Sequence, residues 1–305
     1  MMQRSPIALF VYNRPWHTKQ TIESLLKNSE ARETDLFVFS DGPKTDADAK
    51  KVEDVRDYIS SLTGFAKVDL IASAHNKGLA NSIIAGVTKI LETSETVIVM
   101  EDDLVTSPYF LRYMNEALTL YQNDDTVISI HGYVYPVKQS LPETFFLRGA
   151  DCWGWATWRR GWKYFEPDGR KLLTELERSN SIREFDMDDS FWYSEMLRDQ
   201  IKGLNNSWAI RWHASAFLRN KLTLYPGESL INNIGFDNSG THSGGSQQYQ
   251  ANIVQRPLNV KRIDLNEDSH ARAVIVSYMR GLKKSRLRKF ASRVRNVFKR
   301  IWQKA

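Results

Sequence analysis

Short apolar segments alternate with amphipathic segments along the first 133 residues of the chain. The apolar segments are rich in β-branched and aromatic residues and have polar residues at both ends, which predicts β-strands. The five predicted strands are Ile7–Tyr12, Leu36–Ser40, Val68–Ala72, Thr96–Met100 and Val127–His131. Strands that are apolar on both faces and alternate with helices are typical of a mostly parallel sheet covered by helices.

The segments between these strands place apolar residues at helical spacing. The helical positions are Ile22, Leu25 and Leu26, then Val52, Val55, Tyr58 and Ile59, then Ile83, Ile84, Val87 and Leu91, and a further helix is predicted to start near Tyr109. Open sheets of this type bind ligands beyond the carboxyl ends of their strands. Three polar clusters follow predicted strands: YNRP at 12–15, SDGP at 40–43 and EDDL at 101–104.

Beyond Tyr133 the regular alternation stops and tryptophan becomes dense, as in CWGWATWRRGW at 152–162. We expect irregular strands and two or three helices that pack on the same sheet. No Pro/Gly/Ser-rich linker separates the halves, which favours one composite domain. We assign this domain to residues 1–275, with a ligand-binding half at 1–133, an acceptor half at 134–275 and a basic tail at 276–305.

The longest apolar runs have about half a dozen residues, far fewer than the roughly 20 of a membrane-spanning helix. The N-terminus shows no signal-peptide pattern, so we expect the protein to act in the cytoplasm. The single cysteine, Cys152, excludes an internal disulfide and suits a reducing compartment.

The formal net charge of +6 is unevenly distributed, because residues 281–305 contain ten Lys or Arg and no Asp or Glu. The remaining 280 residues therefore carry a net charge of −4. Tail residues Leu287, Phe290, Ala291, Val294, Val297 and Ile301 follow a helical apolar pattern. A basic amphipathic helix with Phe298 and Trp302 favours an anionic membrane surface, on the inner face of the cell membrane. Nucleic acid would leave the apolar stripe unexplained, so we expect no nucleic-acid partner; a docked or disordered tail is the other alternative.

Three adjacent carboxylates, Glu101, Asp102 and Asp103, follow the fourth predicted strand. Adjacent carboxylates at the end of a strand suit a hard divalent cation such as Mn²⁺ or Mg²⁺, which keeps open positions for substrate phosphates. A solvated acidic loop is the alternative. We call these three residues the acidic triplet.

Six motifs occur in order along residues 5–245: FVYNRP, SDGP, NKGLANS, MEDDL, GWATW and NIGFDNSGTHS. Together they resemble the nucleotide-sugar glycosyltransferases of the GT-A fold, particularly bacterial relatives of N-acetylglucosaminyltransferase I. In that group EDD replaces the commoner Asp-X-Asp motif. The resemblance implies a GT-A fold and a UDP-sugar donor.

The resemblance also implies roles for residues after the first three strands. Asn13 and Arg14 would hold the nucleotide, with Arg14 at a phosphate. Asp41 would accept a hydrogen bond from the uracil N3–H, and the backbone at Lys77 and Gly78 would pass close to the nucleotide, with Gly78 in an unusual dihedral. A helix cap, a turn aspartate and a simple strand-to-helix turn are the respective alternatives.

Within the acidic triplet, the resemblance makes Asp103 the metal ligand and places Asp102 near the ribose or sugar and Glu101 near the sugar hydroxyls. His242 would belong to a loop that closes over the donor, although a lone histidine in a polar loop is often only exposed. We expect most tryptophans of 153–162 to be buried and one or two to line the site, with Trp155 assigned to the donor.

The resemblance implies transfer with inversion, which needs a base that takes the proton of the acceptor hydroxyl. In the relatives this base is a carboxylate in a segment after the tryptophan cluster. Our candidate is Glu195 in SFWYSEMLRD at 190–199. The match is imperfect, because the paired aspartates of the relatives align nearest Tyr193 and Ser194. The remaining candidates are Asp188, Asp189 and Asp199.

The leading hypothesis is a metal-dependent, inverting glycosyltransferase that transfers a hexosyl or N-acetylhexosaminyl group from a UDP-sugar to a glycan or polyprenyl-linked acceptor in bacterial surface polysaccharide synthesis. A nucleotidyltransferase would need a glycine-rich basic loop near the first strand, which VYNRPWHT at 11–18 is not. A non-catalytic sugar- or membrane-binding module is the third hypothesis.

Overall fold

A computed structural model describes residues 4–237 and 247–283. The elements of the first half are β1 Ile7–Val11, α1 Pro15–Leu25, β2 Asp35–Ser40, α2 Asp46–Ser60, β3 Lys67–Ala72, α3 Leu79–Thr93, β4 Thr96–Glu101, β5 Leu104–Thr106, α4 Phe110–Leu120 and β6 Val127–His131. The second half contains β7 Thr144–Arg148, β8 Trp155–Trp158, α5 Arg159–Trp162, α6 Gly169–Arg178, α7 Ile182–Phe185, α8 Tyr193–Ile201, α9 Trp208–Leu218, β9 Leu222–Pro226 and β10 Ile231–Asn233. Residues 269–283 form a further helix, α10, as far as the described residues extend.

The central sheet has eight strands in the order β3-β2-β1-β4-β8-β6-β9-β7. Six of them run parallel to one another, whereas β8 is antiparallel to β4 and β6, and β7 is antiparallel to β9. β5 and β10 form a separate antiparallel pair. The predicted mostly parallel sheet is confirmed, and β7 and β8 are its exceptions.

The five predicted strands and the four predicted helices of the first half are confirmed. The largest difference that matters for the site is at β4, which extends to Glu101 because Phe10 of β1 pairs with that residue. Helix α2 begins with a capping arrangement in which Asp48 accepts a hydrogen bond from the Thr45 N–H at 3.1 Å. The elements of this half therefore follow from local sequence signals.

Successive side chains of each strand point to opposite faces of the sheet. Leu9 belongs to the core beneath α1, α2 and α4, whereas Phe10 belongs to the core beneath α3 and α9. Helix α3 approaches β1 closely at Gly86, where an added Cβ would lie 2.6 Å from the Phe10 ring. Helices thus cover both faces and leave the carboxyl ends of the strands for the site.

Helix α10 crosses the predicted start of the tail at residue 276. Its residues Met279 and Leu282 are buried in a cluster with Phe145 and Tyr225, so residues up to 283 pack with the folded domain. The apolar stripe of the tail, from Leu287 onward, lies outside the described residues. Within residues 4–237 and 247–283, no helix has the length and apolar character needed to cross a bilayer.

Candidate active site at the end of β4

The sheet places Arg14 beside the acidic triplet. β1 and β4 are neighbours, and Phe10 pairs with Glu101, so the turn after β4 lies beside the segment that leads from β1 into α1. The Arg14 Nη2 atom contacts Asp102 Oδ1 and lies 2.9 Å from Asp103 Oδ2. Only 17% of the Arg14 side chain is exposed. In this structure Arg14 therefore binds two carboxylates, in the region where a phosphate contact was predicted.

The acidic triplet has more negative charge than Arg14 neutralises. Burial raises the pKa of Glu101, and the charges of Asp103 and Asp102 raise it further. Burial also raises the pKa of Asp102, which the charge of Arg14 partly offsets. Burial alone would lower the pKa of Arg14, but the two aspartates raise it above its usual value. Asp102 and Asp103 thus contact one guanidinium, and Glu101 adds a third acid group beside them.

Contacts with two other segments fix the turn that carries Asp102 and Asp103. The Thr21 hydroxyl of α1 donates to the Asp102 carbonyl at 2.8 Å, and the Ile234 N–H donates to the Asp103 carbonyl at 2.9 Å. Gly235 packs directly on the Asp103 carboxylate, because an added Cβ would overlap Asp103 Oδ2. The segment after β10 therefore covers the acidic triplet, and β10 itself is paired with β5.

The chemistry of the acidic triplet fits a hard divalent cation, because its donors are carboxylate oxygens in surplus over positive charge. Within the part of the chain that the structure describes, no group of three or more His, Cys, Asp and Glu side chains is arranged to hold a metal ion by itself. A cation held here would therefore draw much of its coordination from water or ligand oxygens, as Mg²⁺ commonly does.

Asp41 fixes the loop after β2 against the start of α3. Its Oδ1 accepts from the N–H groups of Gly42 and Lys77 at 2.9 and 2.8 Å, and its Oδ2 accepts from the Gly78 N–H at 2.9 Å. Gly78 has φ of +77°, so the predicted unusual dihedral is confirmed. The Lys77 side chain is exposed. The predicted contacts of these residues with a nucleotide remain predictions.

Asn13 has a structural partner on a neighbouring helix. Its Nδ2 donates to Asp48 Oδ1 at 2.7 Å, and Tyr12 donates to the same carboxylate at 3.0 Å. These bonds tie the end of β1 to the start of α2. His242, which was predicted to close over the donor, lies outside the described residues.

The placement of the tryptophans corrects one expectation. Trp155, Trp158 and Trp162 are buried, as expected for most of this block, but Trp155 is fully inaccessible and stacks on Trp208 with ring centroids 5.4 Å apart. Trp155 therefore has no face available for a donor sugar. The partly exposed tryptophan is Trp153, whose ring lies 4.7 Å from that of Tyr133.

The structure does not connect Glu195 with the acidic triplet. Glu195 lies on α8, whose main packing partners are α6, α7 and α9, and its side chain is 55% exposed and 3.9 Å from Arg198. Asp199 pairs with Lys202 at 3.8 Å on the same helix. These two candidates for the base occupy an ordinary helix surface.

Asp188 and Asp189 belong to a loop that is fastened to α10. Asp188 pairs with Arg272 at 2.5 Å, and Lys283 donates to the Asp189 carbonyl at 2.8 Å. Both aspartates and Met187 have positive φ. The carboxylate of Asp188 is thus already paired with a cation.

Residues 7–181 match the sequence profile of "Glycosyl transferase family 2". The chain belongs to this family. The matched range includes β1, the acidic triplet and the tryptophan block, and its single α/β domain with a mostly parallel sheet is of the GT-A kind. The search of curated protein sequences found no match. The predicted kinship with N-acetylglucosaminyltransferase I is not tested by this match.

Solved structures give weaker similarities. S. aureus TarS 1-349 is 12% identical over 74% of this chain and 59% of that one, with a TM-score of 0.40. The mannosyltransferase PcManGT from Pyrobaculum calidifontis, in complex with GDP-Man and Mn²⁺, is 16% identical over 45% of this chain and 37% of that one, with a TM-score of 0.31. This family 2 chain thus spans less than two thirds of either structure, and similarities of this size assign no ligand to it.

Two residues of this family 2 chain that bear on the site were missed by the motif analysis. Gly235 touches the Asp103 carboxylate, and Asp151 immediately precedes the tryptophan-rich motif. The only sequence signal for Asp151 is a carboxylate two residues before Trp153, and glycine in NIGFD could equally mark a turn. Their positions become visible only once β8 and β10 are placed.

Proposed function

We propose that this chain is a divalent-metal-dependent, inverting glycosyltransferase that uses a UDP-sugar. The observation that carries the proposal is the acidic triplet at the end of β4, where Asp102 and Asp103 contact the Arg14 guanidinium inside the region that matches the family. Family membership favours glycosyl transfer over nucleotidyl transfer.

In this proposal Asp103 holds Mn²⁺ or Mg²⁺, Asp102 lies near the ribose, and Glu101 lies near the hydroxyls of a hexosyl or N-acetylhexosaminyl group. The ion, when bound, stabilises the negative charge of the departing diphosphate. Arg14 changes partner from the carboxylates to a phosphate, because a guanidinium matches phosphate oxygens equally well. Asp41 orients the uracil by accepting a further hydrogen bond, because its carboxylate can accept more than the three bonds from backbone N–H groups.

The acceptor in this proposal is a glycan or a polyprenyl-linked glycan of bacterial surface polysaccharide synthesis. A cavity of about 580 Å³ lies beside Tyr135 and the segments 134–143 and 227–229, on the acceptor half of the sheet. The basic tail holds the enzyme at the inner face of the membrane, where such acceptors are anchored.

The proposal is tested by measuring the affinity of UDP in Mn²⁺ and in EDTA by calorimetry. We expect at least about tenfold tighter binding with Mn²⁺, a difference of about 1.4 kcal/mol. Asp103→Ala should remove the difference, whereas the control Glu116→Gln, on the exposed face of α4, should keep it. UDP binding that is indifferent to the metal in the unmodified chain would refute the proposed site.

Turnover separates an enzyme from a binding module. Each member of a panel of UDP-glucose, UDP-galactose, UDP-GlcNAc and UDP-GalNAc is incubated with Mn²⁺, and released UDP is measured. Binding of UDP without release from any donor would favour the non-catalytic module.

A further inference from the structure

Asp151 and the acidic triplet lie at the same edge of the sheet. β8 runs antiparallel to β4, and Val99 pairs with Trp155. The chain that leaves β4 through Glu101 therefore runs beside the chain that enters β8 through 151–154. Asp151 reaches the site from the acceptor half, whereas the acidic triplet reaches it from the donor half.

Electrostatic neighbours support this placement. Burial raises the pKa of the Cys152 thiol, and the charges of Asp151, Glu101 and Asp103 raise it further. All three carboxylates thus lie within electrostatic range of one thiol. Burial likewise raises the pKa of Tyr193, with the charge of Asp151 as the next contribution. Asp151 therefore lies within electrostatic range of Cys152 and Tyr193.

The loop that carries Asp151 is held firmly on both sides. His213 Nδ1 lies 2.7 Å from the Ala150 carbonyl oxygen, and the Trp153 N–H donates to His131 Nε2 at 3.1 Å. Asp151 Oδ1 accepts from the Cys152 N–H at 2.8 Å. These bonds fix the direction of a carboxylate that is partly exposed. A fixed, accessible carboxylate can take a proton from a hydroxyl that binds within hydrogen-bond distance of it.

Asp151 is also distinguished by its lack of a cationic partner. Among residues 4–237 and 247–283, the structure pairs no Lys or Arg with it, whereas Arg198, Arg272, Arg183 and Lys202 lie within 4 Å of Glu195, Asp188, Asp189 and Asp199 respectively. The nearby Asp186 accepts from the Ser194 N–H and hydroxyl, both at 2.6 Å, and so caps α8. A carboxylate that is paired with a cation or used as a cap is a weaker base.

We propose that Asp151 is the general base of the transfer, an assignment that rests on the proposed function. The acceptor oxygen forms a bond to the anomeric carbon while its O–H bond breaks and the proton passes to Asp151. The bond between the anomeric carbon and the phosphate oxygen breaks at the same time, and its electron pair leaves with UDP. No oxidant or further reactant is needed. The partly exposed Trp153, two residues along the chain, then lies beside the acceptor.

The test uses water as the acceptor and measures release of UDP from the panel member that the unmodified chain hydrolyses fastest with Mn²⁺. We expect Asp151→Asn to slow release by about 10²–10⁴-fold, the range typical of a lost general base. Mn²⁺-dependent UDP affinity and the melting temperature should stay unchanged. Glu195→Gln and Asp199→Asn are the matched controls and should retain full activity.

A second variant separates lost chemistry from lost structure. Asp151→Ala leaves space for a small carboxylate, so added formate should restore part of the activity, whereas equal concentrations of chloride should not. Asp151→Asn with normal activity, or with weakened UDP binding, would overturn the assignment. An unmodified chain that does not bind UDP with Mn²⁺, or that binds it but releases it from no donor, would instead fail the proposed function itself.

Discussion

Replacing Arg14 by methionine tests the electrostatics of the site most directly. Methionine keeps most of the length of the side chain and removes its charge. The two carboxylates that contact Arg14 have side chains only 5% and 14% exposed, so water replaces the lost partner poorly. Removing one partner of a buried ion pair typically costs about 3–5 kcal/mol.

The magnitude can be converted to a melting temperature. With an unfolding entropy of about 2.1 cal/mol/K per residue over the whole chain, each kcal/mol of lost stability lowers the melting temperature by about 1.6 °C. Arg14→Met should therefore lower the melting temperature in EDTA by about 5–8 °C. The control Arg112→Met removes an exposed pair with Glu116 on α4 and should cost less than about 1 kcal/mol.

Mn²⁺ should reduce the loss of melting temperature that Arg14→Met causes. If the acidic triplet binds a divalent ion, the ion replaces the missing positive charge, and at one hundred times its Kd it stabilises the folded chain by about 2.7 kcal/mol. The assay is thermal unfolding of both variants and the unmodified chain in EDTA and in Mn²⁺. Equal losses for Arg14→Met and Arg112→Met in EDTA would refute the buried ion pair. Melting temperatures that Mn²⁺ leaves unchanged in both the unmodified chain and Arg14→Met would refute cation binding.

Two further predictions concern the cover of the site and the tail. Gly235→Ala should lower Mn²⁺-dependent UDP affinity by about tenfold while costing less than about 1 kcal/mol of stability, because the new methyl group displaces the end of the Asp103 side chain. The control Gly281→Ala, whose Cβ would meet nothing within 4 Å, should bind UDP normally. Equal UDP affinities of the two variants in calorimetry would contradict the contact between Gly235 and Asp103. Deleting 284–305 removes nine cations but keeps the buried Leu282, so the truncated chain should stay folded. It should no longer sediment with anionic vesicles, because each cation contributes about 1 kcal/mol to membrane binding. Unchanged sedimentation would exclude the tail as the membrane anchor.

The strands and helices of the first half, residues 1–133, could be predicted from the sequence because their signals are local. Ile7–Val11 and Thr96–Glu101 are short apolar runs, and helical spacing marks the segments between the strands. The rule that ligands lie beyond the carboxyl ends of parallel strands placed Arg14 and Asp103 at the same edge of the sheet, and in the structure the two side chains form an ion pair. Their predicted roles at a phosphate and a metal ion stay predictions.

The strand order of the second half, residues 134–275, could not be predicted from the sequence, because its strands pair with segments that are distant along the chain. β8 inserts between β4 and β6, and β9 lies between β6 and β7, an order that no local pattern indicates. Trp155 was assigned to the donor because the sequence does not reveal that both faces of β8 are buried. Glu195 was chosen by motif position, and a motif does not show that α8 packs away from the acidic triplet.

The tryptophan stack has a consequence for optical studies of this chain. Trp155 lies within 6 Å, centroid to centroid, of the rings of Trp162, Trp208 and Trp212, all of them buried. Indoles so close share their excitation, so much of the intrinsic emission reports on the interior behind the sheet. Among the described tryptophans, a change in emission when a donor binds would therefore come from the partly exposed Trp153 and Trp192 or the exposed Trp16. Replacing each by phenylalanine would tell which of these three positions the bound ligand affects.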